Sequence, residues 1–234
     1  YPFKAKLEKR ADHIAAVAYN DGPASISAVV NVASSNCKVS TPANIRVVVK
    51  AHESVDIAQI RAPSTGVGCQ AGLNFKYQIG DFTRDAGDEP FRIPFEDGKA
   101  FTVGQAFGGP LTSHNSPEAQ DALDINMPQG TKIVAAKDGI VVDYAFGYTN
   151  SGSVNAALNL KANFVLIEHA DGVLTLYSHL APIAVPLKLG EPVHAGELIG
   201  YSGTTGYSSG PHLHFAVLKP YVDACRKHGL KVGF

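Results

Sequence analysis

Short runs of period-two alternation, broken at close intervals by turn-forming residues, dominate this chain. Ile26 to Val32, Ile45 to Val49, Leu73 to Ile79, Ile140 to Tyr144 and Phe164 to Glu168 are rich in β-branched residues and read as strands. Asn20-Asp21-Gly22-Pro23, Asp97-Gly98, Lys137-Asp138-Gly139, Asp171-Gly172 and His194-Ala195-Gly196 supply the turns. A parallel sheet would need a helical pattern between successive strands, and none is present. The pattern predicts a mainly β, antiparallel protein. Two short helices are expected: one from Ser116-Pro117-Glu118, with a serine cap, a proline at the first helical position and an acid in the first turn, and one over Tyr221 to His228.

The chain has 234 residues, 45% of them hydrophobic, enough for one large or two small domains. The polar stretch Asp81 to Asp88 marks a change of character: beyond it glycines become frequent, and seven of the nine histidines lie past residue 100. This predicts an N-terminal β-sandwich accessory domain over 1–88, in which Ala24 to Val32 faces Ile45 to Lys50, followed by a second antiparallel domain over 89–234. No repeat or low-complexity tract interrupts either part.

Twenty Lys and Arg against twenty-one Asp and Glu leave a formal charge of -1, without runs of like charge. Nucleic acid and anionic membrane are therefore excluded as expected partners. No apolar stretch approaches the roughly 18 residues of a membrane helix. No basic, apolar leader opens the sequence at Tyr1; the expected form is exported, periplasmic or extracellular, with any signal or membrane anchor lying before this sequence. Cys37 and Cys69 fall among strand-like segments and either form a disulfide or sit as two small buried hydrophobes. Cys225 stands apart.

The chemistry-bearing residues cluster late. In Gly210-Pro211-His212-Leu213-His214-Phe215, strand periodicity turns both imidazoles to one face and Leu213 and Phe215 to the other. The lead-in Ser202 to Gly210 is built for tight turns beside a site. Asp124 sits between Leu123 and Ile125, where a carboxylate must either bond to backbone amides or meet a cation. Asp121 competes for the same task, and His114 stands upstream of both. His179 closes the run Leu176-Tyr177-Ser178-His179-Leu180. His169, His194 and His228 lack such company and read as structural. N/O ligands without thiolate suit a catalytic zinc with an open position. The helical H-E-x-x-H arrangement is absent.

His114, the run Asp124-Ile125-Asn126-Met127-Pro128-Gln129-Gly130-Thr131, Tyr177-Ser178-His179-Leu180, and Gly203-Thr204-Thr205-Gly206 through His212-Leu213-His214-Phe215 resemble, in that order, the lysostaphin-type peptidoglycan endopeptidases. The likeness covers about residues 100 to 220, although His114 lies further from the aspartate than the first histidine does in many members. The resemblance implies a lysostaphin-type β-sheet zinc peptidase domain with one Zn2+ per chain. It implies His114, Asp124 and His214 as ligands, and His179 and His212 as the catalytic pair. It also implies a peptide cross-bridge or stem peptide of bacterial peptidoglycan as substrate. A catalytically inactive relative that binds cell wall or activates another hydrolase is the competing expectation.

Overall fold

The computed structural model describes residues 1–85, 87, 90–109, 112–117, 119–150, 152–221 and 227–230. Two compact units divide these residues. One comprises Tyr1–Thr83 with Pro220–Arg226, the other Arg84–Lys219 with Lys227–Phe234. The boundary expected after residue 88 falls in a stretch where residues 86, 88 and 89 lie outside the described residues.

The first unit holds β1 (Phe3–Lys9), β2 (Ile14–Asn20), β3 (Ile26–Ser35), β4 (Lys38–Val39), β5 (Asn44–Val49), β6 (Ser54–Arg61) and β7 (Gln70–Ile79). These strands form two antiparallel sheets, ordered β1-β2-β6-β4 and β5-β3-β7. Ile26, Ala28 and Val30 alternate inward along β3, as period two requires, and Phe3 of the first sheet packs on Phe75 and Tyr77 of the second. Ile26 pairs with Val49 and Val30 with Ile45, the pairing expected from the sequence. Cys37 and Cys69 are disulfide-bonded. Asn20 is fully buried, and its amide donates to the Ala24, Val49 and Lys50 carbonyls, which leaves neither N–H of that amide unpaired.

The second unit contains β8 (Thr102–Gln105), β9 (Leu123–Asn126), β10 (Lys132–Val134), β11 (Gly139–Ala145), β12 (Asn163–Glu168), β13 (Leu174–Leu180), β14 (Pro192–Val193), β15 (Leu198–Tyr201), β16 (His212–Pro220) and β17 (Lys227–Leu230). Seven of them run in the order β14-β11-β12-β13-β16-β9-β8, with β17 also paired to β16, while β10 and β15 make a separate two-stranded sheet. One apolar layer, including Leu123, Ile125, Val165, Ile167, Tyr177, Leu180, Leu213 and Phe215, lies beneath the main sheet. Each such side chain contributes about 1.5 to 3 kcal/mol by leaving water.

The helix expected from Ser116 does not form among the described residues. The Ser116 segment is a turn in which Ala119 N and Gln120 N both donate to Ser116 O, at 3.0 and 2.9 Å. Glu118 lies outside the described residues. The segment is too short to sustain a helix without an apolar face to bury, and Leu123 already belongs to a strand. Over Tyr221 to His228, residues 222–226 lie outside the described residues, and Lys227 and His228 open β17.

Candidate metal centre and catalytic histidines

One rung of the main sheet carries the centre. In the paired register Gln105 lies opposite Asp124, Asp124 opposite His214, and His214 opposite Ser178, so four strands contribute neighbouring positions. Strand alternation does the aiming. Leu123 and Ile125 on either side of Asp124, and Leu213 and Phe215 beside His214, are buried in the apolar layer. The carboxylate and both β16 imidazoles are thereby left on the other face.

His179 reaches that face by a different device. Leu180 pairs with Asn163 and Ser178 with Phe164, which leaves His179 as an extra residue between them, with φ 61°. Such a bulge re-aims a side chain. Tyr177 and Leu180 both stay in the core while Ser178 and His179 share the opposite face. Gly203 allows the 203–206 turn to come close: a Cβ there would lie 2.5 Å from Ala181 N.

Asp124 is 5% exposed. His114 Nε2 lies 3.1 Å from its Oδ2 and His214 Nδ1 2.9 Å from its Oδ1, with His212 Nε2 at 3.8 Å from the latter. Burial raises the Asp124 pKa most, but the hydrogen bonds and charge of His114 and His214 outweigh it and hold the carboxyl well below the usual range. Asp124 is therefore an anion. Asp121 is not part of this group.

His179 and His212 lie side by side next to the cluster, their rings tilted by 47° with centroids 4.6 Å apart. His179 Nδ1 lies 2.7 Å from Thr205 O, and His212 Nδ1 2.8 Å from Gly210 O. A carbonyl only accepts, so each Nδ1 carries a proton, and in the neutral form of either ring Nε2 is the unprotonated nitrogen. Burial, and secondarily His212, lowers the His179 pKa to about 4. It is neutral at physiological pH.

The donor set fits a metal ion. One ligand atom each from His114, Asp124 and His214 lie within 4.8 Å of one another, a span that a cation bonded at about 2.0 to 2.2 Å bridges with a small side-chain closure. One carboxylate with two imidazoles and no thiolate is the chemistry of an open rather than a closed site. Sequence reasoning brought forward these five residues and missed Gln105, Thr205 and Asn163. Gln105 Nε2 donates to Asp124 Oδ2. The Thr205 hydroxyl donates to Leu180 O and accepts from Asn163 N. Position on the shared rung is the signal that would have found Gln105, and register is not written in alternation.

Residues 118–226 match the model of Peptidase family M23. An uncharacterized metalloprotease of Buchnera aphidicola subsp. Baizongia pistaciae is 35% identical over 133 residues, 55% of this chain and 31% of that protein. The peptidoglycan DD-endopeptidase ShyA of Vibrio cholerae is 35% identical over 109 residues, 47% of this chain and 22% of its own length. The chain thus spans less than a third of these curated relatives. Among solved structures, the catalytic domain of the antimicrobial peptidase lysostaphin from Staphylococcus simulans is 29% identical with a TM-score of 0.38, covering 50% of this chain and 80% of that one. The stretch that matches the Peptidase family M23 model, residues 118–226, makes up just under half of the chain.

Proposed function

We propose that this chain is a zinc metalloendopeptidase that hydrolyses peptide cross-bridges or stem peptides of bacterial peptidoglycan. In this reading one Zn2+ is held by His114, Asp124 and His214, and His179 and His212 act on the substrate. The observation that carries it is the convergence of one buried carboxylate and two imidazoles beside two further histidines whose Nδ1 atoms are both fixed by carbonyls. The M23 match and the similarity to a peptidoglycan DD-endopeptidase support the substrate class.

Zinc bound there supplies a Lewis acid that polarises the scissile carbonyl and acidifies water. The chain's own residues move the protons. With Nδ1 committed to a carbonyl, Nε2 of His179 or His212 takes a proton as general base and, once charged, donates it to the departing amine or steadies the oxyanion. The apolar layer under the sheet fixes strands β9, β13 and β16, so these groups need little reorganisation during reaction.

Residues 1–88 are read as an accessory β-sandwich and 89–234 as the peptidase domain. The Cys37–Cys69 bridge supports export to an oxidising compartment, periplasmic or extracellular. Among the described residues no helix is long and apolar enough to cross a membrane. The test is to measure zinc content and release of peptides from purified peptidoglycan together. One zinc per chain with hydrolysis is expected. Zinc without hydrolysis would instead support the inactive, wall-binding relative.

A further inference from the structure

We propose that Gln105 is a positioning residue for the metal centre: its single amide ties the Asp124 carboxylate to the loop that bears His114, and so sets how tightly the metal is held. This rests on the metal-binding reading above. Gln105 belongs to a segment that lies, like His114, before the residues matching the M23 model.

The placement of Gln105 depends on an irregularity in the edge of the sheet. Val103 pairs with Ile125 and Gln105 with Asp124, so Gly104 is the extra residue of a bulge on β8. A Cβ on Gly104 would stand 2.7 Å from the side-chain amide of Asn126, so a larger residue there would have to push that side chain aside. The bulge puts the half-buried Gln105 side chain against the carboxylate.

Its amide can be oriented only one way. Nε2 donates to Asp124 Oδ2 at 2.9 Å, and a carboxylate can only accept. Oε1 accepts from the Ser113 backbone N–H at 2.6 Å and from the Ser113 hydroxyl at 3.1 Å, and a backbone N–H can only donate. Turning the amide over would break both ends at once. One side chain therefore grips a candidate ligand with one hand and the residue before another candidate ligand with the other.

His114 needs such support from its backbone. A metal-bound histidine usually donates its second ring nitrogen to an outer partner, which fixes the ring. His114 Nδ1 is buried with no hydrogen-bond partner among the described residues. What holds its loop is Ser113 on Gln105, together with the bond from His114 N to Thr112 Oγ1 at 3.2 Å. Outer partners of metal ligands typically change affinity by about 10- to 100-fold.

The experiment compares the parent protein with Gln105→Met, Gln105→Asn and His214→Ala, each first stripped of metal. Zn2+ affinity is read by competition with a chromogenic chelator at a temperature where circular dichroism shows the metal-free proteins folded. Met fills similar volume without hydrogen bonds. Asn keeps the polarity but is too short to hold Asp124 and Ser113 together, and it decides the matter if the Met variant does not fold. The expected result is tight binding by the parent, none by His214→Ala, and about 10- to 100-fold weaker binding by the Gln105 variants. Affinity within twofold of the parent in a folded Gln105 variant overturns the proposal while leaving the metal reading intact. A parent that takes up no Zn2+ overturns the metal reading and this proposal with it.

Discussion

The two units treat strand register in opposite ways. In the N-terminal unit β3 and β7 pair over their full length without a shift, as do β1 and β2, and the one irregularity among these ladders falls between Ala16 and Val17. In the second unit the ladders slip between β10 and β15, β11 and β12, β12 and β13, and β8 and β9. Two of those slips sit at the candidate site, one delivering His179 and the other Gln105. An unbroken ladder makes a wall, in which alternation leaves each side chain no choice of face. A bulge gives up a paired residue and gains a side chain aimed where alternation would not send it.

The largest effect should come from the site that the bulges build. His179→Ala or His212→Ala is expected to keep zinc and the fold but lower peptidoglycan hydrolysis by about 10² to 10⁴. Asp124→Ala or His214→Ala should lose zinc along with activity. Metal content and turbidity loss, measured in parallel on all four variants, decide this. Loss of zinc by the His179 variant, or hydrolysis at the parent rate, would break the division into ligands and catalysts.

Next in size is the disulfide of the regular unit, whose cysteines are separated by 32 positions. Opening a loop of that length with Cys37→Ala and Cys69→Ala should destabilise the N-terminal unit by about 3 to 4 kcal/mol. Chemical denaturation gives the size, and zinc content should not change. Zinc loss in this variant would show that the two units do not divide their tasks as proposed.

Gly203→Ala sharpens the comparison within the second unit. The added methyl meets the Ala181 backbone, and overpacking of this kind costs about 1 to 3 kcal/mol. Because His212 N donates to Gly203 O, hydrolysis should fall as well. A lowered Tm with unchanged hydrolysis would mean that the turn holds the fold without holding His212.

The smallest effect concerns His169, buried far along β12's exit turn and bonded to Asp138 O and Thr175 Oγ1. Burial lowers its pKa from 6.5. The unfolded chain therefore binds the proton more readily, so the stability from this group is present above about pH 6.5 and is lost as pH falls toward the lower folded value. His169→Gln should flatten that part of the profile when Tm is followed from pH 7.5 to 5. An unchanged slope would remove His169 from the acid response.

Much of this architecture was legible in the residues because period two reports burial directly. The runs at 26, 45, 73, 140 and 164 all became strands. The shared face of His212 and His214 followed from the same rule, with Leu213 and Phe215 completely buried behind them. What alternation cannot carry is register. Nothing in Thr102 to Gln105 says that Gly104 is surplus, so the approach of Gln105 to Asp124 was invisible. The Ser116 turn was misread for a related reason: a cap and a proline favour the start of a helix but do not supply the face that would keep it. Cys37 and Cys69 were left open between bridge and buried thiols because pairing depends on a distance between segments that spacing does not fix.

The left-handed backbone at His179 has a consequence for how this protein can fail. Side chains in that conformation cost about 1 to 2 kcal/mol, and asparagine and glycine are the residues that bear it best. Asn or Gly at 179 therefore keeps the bulge available while deleting the imidazole. On the proposed assignment of His179, a folded, soluble and metal-loaded but inert variant lies one substitution away, and surveys that score expression, melting or metal content would count it as healthy.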